Sequence, residues 1–201
     1  MPGSPFPAGG QDPLLRATGV DCNCSSNHLF IGESVVGAGG STMVSVQDIA
    51  LNGALSPIAS SPFIEPFSST GLVVLSPDDS NLFVSNRSSG VTAFKVASSG
   101  ALTLVPGSPF PAPGGLISEG MATNQAGTFL YVADFLNEVN GFSIAANGVL
   151  TSVPGSPFSN GFVGNGLFSL AVFPPKSCSG RTAGFVSPAA IPVSGPSVDR
   201  K

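Results

Sequence analysis

Apolar and polar positions alternate in short runs along most of the chain. "NLFVSN" (81–86) and "TAFKVA" (92–97) both read with period two, which sends successive side chains to opposite faces of an extended strand. Beside them lie "LVVLS" (72–76) and "ALTLVPGSPF" (101–110). Turn-forming clusters separate these stretches: "PDDS" at 77–80, "RSSG" at 87–90 and "SSG" at 98–100. The pattern predicts four short strands, and each of the two alternating ones is expected to bury one face.

The same unit then recurs. "LTLVPGSPF" (102–110) and "LTSVPGSPF" (150–158) agree at eight of nine letters, 48 residues apart. At that offset "LFVSN" (82–86) matches "LYVAD" (130–134), and "FKVA" (94–97) matches "FSIA" (142–145). An earlier copy contains "LFIGE" (29–33), "VSVQDIALNGAL" (44–55) and "SPF" (61–63). Four strands repeated at this period are the signature of propeller blades. The expected fold is all-β: a β-propeller segment of four-stranded antiparallel blades, three complete and part of a fourth. Residues 14–63, 64–110 and 111–158 form the three blades, and 159–187 the partial fourth, with "GLFSLAVF" (166–173) as its first strand. Residues 1–13 read as the end of a preceding blade motif and a linker, and 188–201 as a disordered tail. An unclosed array leaves a bare sheet face at each end, so the chain reads as a fragment of a larger propeller, a self-assembling partial ring or a marginal open arc.

"VPGSPF" is expected to end the outermost strand of a blade, where proline costs least because the edge has unpaired donors. Phe63, Phe110 and Phe158 are expected to plug the crevices between blades.

"TFLYVAD", "GFSIAANGVLTSVPGSPF" and "VLSPDDSNLFVSN" resemble the repeats of seven-bladed lactonase-type propellers, the 6-phosphogluconolactonase family with its "YVTN"-type repeats. The resemblance covers about residues 14–175 and implies a seven-bladed parent ring, of which this chain is a partial copy. It also implies hydrolysis of a sugar lactone when the ring is complete. These phrases are structural, so they specify a blade far more strongly than an activity.

Composition narrows the function. Charged residues make up 9% of the chain and the net charge is −4, with only seven Lys and Arg. No basic footprint for nucleic acid exists. No stretch approaches the roughly 18 apolar residues of a membrane-spanning helix. "MPGSPFPAGG" lacks the charged and apolar regions of a signal peptide, so the default expectation is a cytoplasmic chain. A cell-surface repeat protein is the alternative that the low charge and Ser/Gly/Pro-rich turns suit.

Propellers bind ligands at the channel mouth, between the inter-blade loops and the loops joining second and third strands. On that face fall Asp12, Glu33, Glu65, Glu119, Asp134 and Glu138, with Arg87 as the one base. Such a rim suits a neutral sugar-like molecule, or a divalent cation such as calcium at Asp134 and Glu138. It suits a phosphorylated lactone poorly, since that substrate calls for Arg or Lys. No cofactor is required, and no "GxSxG", phosphate loop or Cys–His pairing supplies a catalytic set. "GAGG" (37–40) is not followed by a helical pattern and reads as a loop extension. The sole histidine, His28, aligns with Asn81 and Phe129 at the first-to-second turn, opposite the rim. An exposed or capping role is expected for it, not general-base work. Lys95, the base within a blade, is expected on a solvated side. Cys22, Cys24 and Cys178 are odd in number. The first two are expected to share one face of a strand, either as idle or packed thiols or as half of a metal site. The expected whole is a binding or interaction module without a complete catalytic site.

Overall fold

The computed structural model describes residues 15–35, 42–65, 70–86, 90–113, 118–134, 136–159, 161 and 178. Most of the predicted partial fourth blade, the 1–13 segment, the "GAGG" loop and the predicted tail lie outside the described residues. All described elements are strands, in three antiparallel sheets. The first contains β1 (Leu15–Cys22), β2 (His28–Val35), β3 (Thr42–Ile49) and β4 (Leu55–Pro57) in that order, with β5 (Phe63–Glu65) also pairing β3. The second contains β6 (Thr70–Leu75), β7 (Asn81–Asn86), β8 (Gly90–Val96) and β9 (Leu102–Leu104). The third contains β10 (Ser118–Thr123), β11 (Phe129–Asp134), β12 (Glu138–Ile144) and β13 (Leu150–Ser152), with β14 (Phe158–Ser159) pairing β12. The architecture is all-β, with four-stranded sheets repeated as blades.

The sheets pack face on face through two apolar clusters. Phe30, Val44 and Val46 of the first sheet meet Val73, Leu82, Val84 and Phe94 of the second. On its other face the second sheet brings Phe83, Val91 and Ala93 against Met121, Leu130, Val132 and Phe142 of the third. All six residues of β7 are therefore buried. The expectation of a half-buried strand fails here because the middle sheet has neighbours on both sides, and period two then distributes side chains between two cores.

The repeated phrase continues the sheet edge and has a further role that the sequence did not show. The outermost strands hold only three residues, and "VPGSPF" lies beyond them. In each copy one amide after the short strand donates to the third strand: Ile58 to the carbonyl of Val46, Val105 to Ala93, and Val153 to Gly141. The chain then turns out of the sheet, closed by the amides of Ser61, Ser108 and Ser156 donating three residues back. The amides of Val46, Ala93 and Gly141 face that gap and donate to the hydroxyls of Ser61, Ser108 and Ser156 at 2.9, 2.7 and 3.0 Å. After a cis Ser–Pro bond, the Phe rejoins the third strand. Phe63 faces Val44, Phe110 bridges Val91, and Phe158 faces Val139. The phrase is a bulged continuation of the edge, in which a serine hydroxyl replaces a missing backbone acceptor.

The cysteines are also corrected. β1 ends at Cys22, so Cys24 sits in the turn, and it forms a disulfide with Cys178, 154 residues away. Closing so long a loop stabilises the folded chain by on the order of 4–5 kcal/mol in the chain-entropy account. Cys22 is exposed and outside the bridge.

Phe110 is 8% exposed and belongs to the core between the second and third sheets, whereas Phe158 is 41% exposed. Phe110→Ala should therefore cost about 3–5 kcal/mol in urea unfolding, and Phe158→Ala much less. Ser108→Ala should cost about 1–3 kcal/mol by stranding the Ala93 amide. Equal losses at Phe110 and Phe158, or no loss at Ser108, would contradict this account of the phrase.

Candidate functional site

One end of the sheets carries the connections between second and third strands. The last described position of that alignment is Glu33, Asn86 and Asp134 in the three sheets, and all three are fully buried. Each is diagonal across the sheet from a second buried polar residue: Ser45, Thr92 and Asn140. Asn86 Nδ2 donates to Thr92 Oγ1. Asn140 Nδ2 donates to Asp134 Oδ2 at 3.2 Å. Asp134 Oδ1 accepts the amides of Leu136 at 2.8 Å and Glu138 at 3.1 Å. The carboxylate thus holds the β11–β12 turn in shape, with Asn137 at a φ of 65° closing it.

Next to these positions the innermost strand bulges in every sheet, between Ala17 and Gly19, Thr70 and Val73, and Ser118 and Gly120. In the third sheet the extra backbone position is residue Glu119. In the first it is Thr18, whose hydroxyl lies 3.0 Å from the Gly32 carbonyl and 2.5 Å from the Gly71 carbonyl of the second sheet.

The rim residues expected from the sequence are placed as follows. Glu33 and Asp134 are buried inside the sheets, and Glu138 is half-buried at the start of β12. The backbones of Glu65 and Glu119 lie in β5 and β10. Asp12 and Arg87 lie outside the described residues. No group of three or more His, Cys, Asp or Glu that could hold a metal ion occurs among the described residues.

The opposite end is built from first-to-second turns. Ser26, Asp79 and Gly127 occupy equivalent positions there, each with positive φ. The first sheet's turn touches the second's: the Cys24 amide donates to Asp79 Oδ2 at 2.7 Å. An exposed or capping role was expected for His28, and it is buried at this end. Its Nε2 lies 3.2 Å from the Ser98 carbonyl of the second sheet, and its Nδ1 lies 3.0 Å from Asp48 Oδ1. Ser98 belongs to the next repeat, so the turn position of His28 could not reveal this cover. The equivalent contact one sheet later uses Lys95, whose Nζ donates to the Ala146 carbonyl at 2.9 Å, so its ammonium bridges to the third sheet. Below these contacts the β8–β9 and β12–β13 turns press close: a Cβ on Gly100 would lie 3.3 Å from the His28 ring, and one on Gly148 2.6 Å from Asn81 Oδ1. Both glycines have φ near +80° or above, so space and backbone conformation require glycine together.

Asp78 sits in the β6–β7 turn. Partial burial pushes its pKa up, but the hydroxyls of Ser76 and Ser80 and the Ser80 amide outweigh this and hold it below the ordinary 3.8.

Among solved structures, the fold matches a Bacteroides fragilis protein provisionally assigned as a 6-phosphogluconolactonase, with a TM-score of 0.55 and 24% identity, covering 70% of this chain and 38% of that one. A Bacteroides uniformis protein with the same provisional assignment matches at a TM-score of 0.56 and 18% identity, covering 72% and 43%. The chain is a partial β-propeller. At these identities the likeness shows the fold alone, and the chain spans about two fifths of the length of these two proteins. No protein-family model and no curated protein matches the sequence. No helix among the described residues is long and apolar enough to cross a membrane.

A depressed carboxyl pKa contributes stability above the unfolded value, and that contribution disappears as pH falls through the folded value. Asp78→Asn should therefore lower Tm at pH 6–7, and the gap to the parent should close on acidification below the ordinary carboxyl range. A Tm gap independent of pH between 2 and 7 would show that the Asp78 charge plays no part.

Proposed function

We propose that this chain is a binding module on a lactonase-like partial propeller and does not itself hydrolyse a phosphorylated sugar lactone. The supporting observation is the state of the end where propeller mouths form. Of the polar groups described there, Glu33, Asn86 and Asp134 are buried between strands, and the Asp134 carboxylate is already occupied by two amides and Asn140. Lactone hydrolysis needs a base beside an activated water and a donor for the developing oxyanion. The histidine lies at the other end and is bound between Asp48 and Ser98. The excess of carboxylates over arginine that the sequence assigns to this end favours a neutral or cationic ligand over a phosphorylated one.

The second reading is a sugar-lactone hydrolase completed by further blades, and the fold likeness to the two Bacteroides proteins favours it. The third is a secreted or surface repeat protein. The Cys24–Cys178 bridge favours that one, because disulfides persist in oxidising compartments.

The test is hydrolysis of 6-phosphogluconolactone by the full chain, with and without calcium. Turnover should not exceed the spontaneous rate. Metal-free turnover abolished by Arg87→Ala would overturn the proposal in favour of the hydrolase. Calcium-dependent thermal stabilisation lost on Glu138→Gln would identify the ligand as the cation.

A further inference from the structure

Neighbouring sheets meet through faces that recur at equivalent positions, and one such face has no described sheet against it. On the second sheet Phe83, Val91, Val105 and Phe110 pack against Met121, Leu130, Val132 and Phe142 of the third, and none of the four is more than 8% exposed. At the offset of 48 their counterparts on the third sheet are Tyr131, Val139, Val153 and Phe158, with Phe129 in the place of Asn81. Among the described residues no sheet packs on that side. Phe129 is 37% and Phe158 41% exposed, and Tyr131, Val139 and Val153 are half-buried.

These residues form one stripe. The Phe129 and Tyr131 rings stack with centroids 6.3 Å apart. Tyr131 pairs with Gly141, and a Cβ on Gly141 would lie 3.2 Å from the Phe158 ring and 3.6 Å from Val153. Phe158 and Val153 therefore fill the place that Gly141 leaves beside Tyr131. A contiguous apolar stripe that remains accessible marks a surface for association.

Its chemistry favours a copy of itself. None of the five side chains is charged, nor are Ala133 and Gly141 between them. Two such faces can therefore meet without opposing like charges. A head-to-tail contact would need the back of the first sheet instead, because each sheet receives the back of the next. The middle of that back face carries Ile31, Glu33, Ser45 and Gln47, which alternate with the Phe30, Val44 and Val46 that pack toward the second sheet. These four are only 6%, 0%, 0% and 1% exposed, and one of them is a carboxylate. Of the two end faces, the third sheet's is the one that offers an accessible apolar stripe. A contact of one face with itself has two-fold symmetry and closes at two copies.

We propose that the outward face of the third sheet binds the same face of a second copy of this chain, with Phe129, Tyr131 and Phe158 at the centre of a closed dimer. The proposed function is independent of this, because the stripe lies on a sheet face and the rim at the end of the sheets.

The experiment is sedimentation equilibrium of the full chain over a range of concentrations. Cys22→Ser is carried in every sample, because the exposed thiol would otherwise allow a dimer through an intermolecular disulfide. A monomer–dimer equilibrium with a Kd on the order of micromolar is expected. Phe158→Glu and Phe129→Glu each place a charge in the interface from an accessible position, and each should weaken the dimer about tenfold or more. If one of them fails to fold, the other carries the test. Val20→Glu, at a 61% exposed position opposite Ile31 on the first sheet, should leave the dimer unchanged. Three results would overturn the proposal. The first is a chain that stays monomeric at the highest concentration reached, which is the outcome if its own residues 166–173 cover the stripe. The second is a dimer that the folded Phe variants leave intact. The third is an assembly larger than two that Val20→Glu breaks.

Discussion

Face-to-face packing of successive sheets is the constraint on which the rest depends. A four-stranded sheet of this size buries too little by itself, and two of its faces are apolar. The middle sheet resolves this by taking one neighbour on each side, so that Phe83 and Phe94 fall in different cores. The local devices serve that packing. The serine of each "SPF" keeps the third strand's amides satisfied while the chain leaves the sheet, and this lets the following Phe return to the core between sheets. Gly100 and Gly148 let neighbouring turns approach within contact of His28 and Asn81.

The third sheet shows what happens where no described neighbour follows. Phe129 takes the position of His28 and Asn81, and it is 37% exposed and stacked on Tyr131. Phe158 takes the position of Phe110 and is also exposed. Among the described residues, Asn81 and Phe110 are buried where a described sheet packs beside them, and Phe129 and Phe158 are more exposed.

The strands and their order were legible in the sequence, because period two and turn residues are local signals and the repeat confirmed them at an offset of 48. What was not legible depends on contacts between repeats. The prolines of "VPGSPF" signalled an edge, but the serine's role appears only when Ala93 and Ser108, fifteen residues apart, are seen together. His28 was placed at the correct turn, while its cover comes from Ser98, seventy residues on. The pairing of Cys24 with Cys178 has no spacing signature at all. The alignment of His28 with Asn81 was visible from the start.

Native-state hydrogen exchange tests the central claim most directly, because it reads how cooperatively each sheet opens. If packing between sheets holds the molecule together, amides of β7 and β8 will exchange last, at the free energy of global unfolding, and those of β13 and β14 will open first. The result that would contradict this is protection in β7 and β8 no greater than in the outer sheets, or three sheets that open independently.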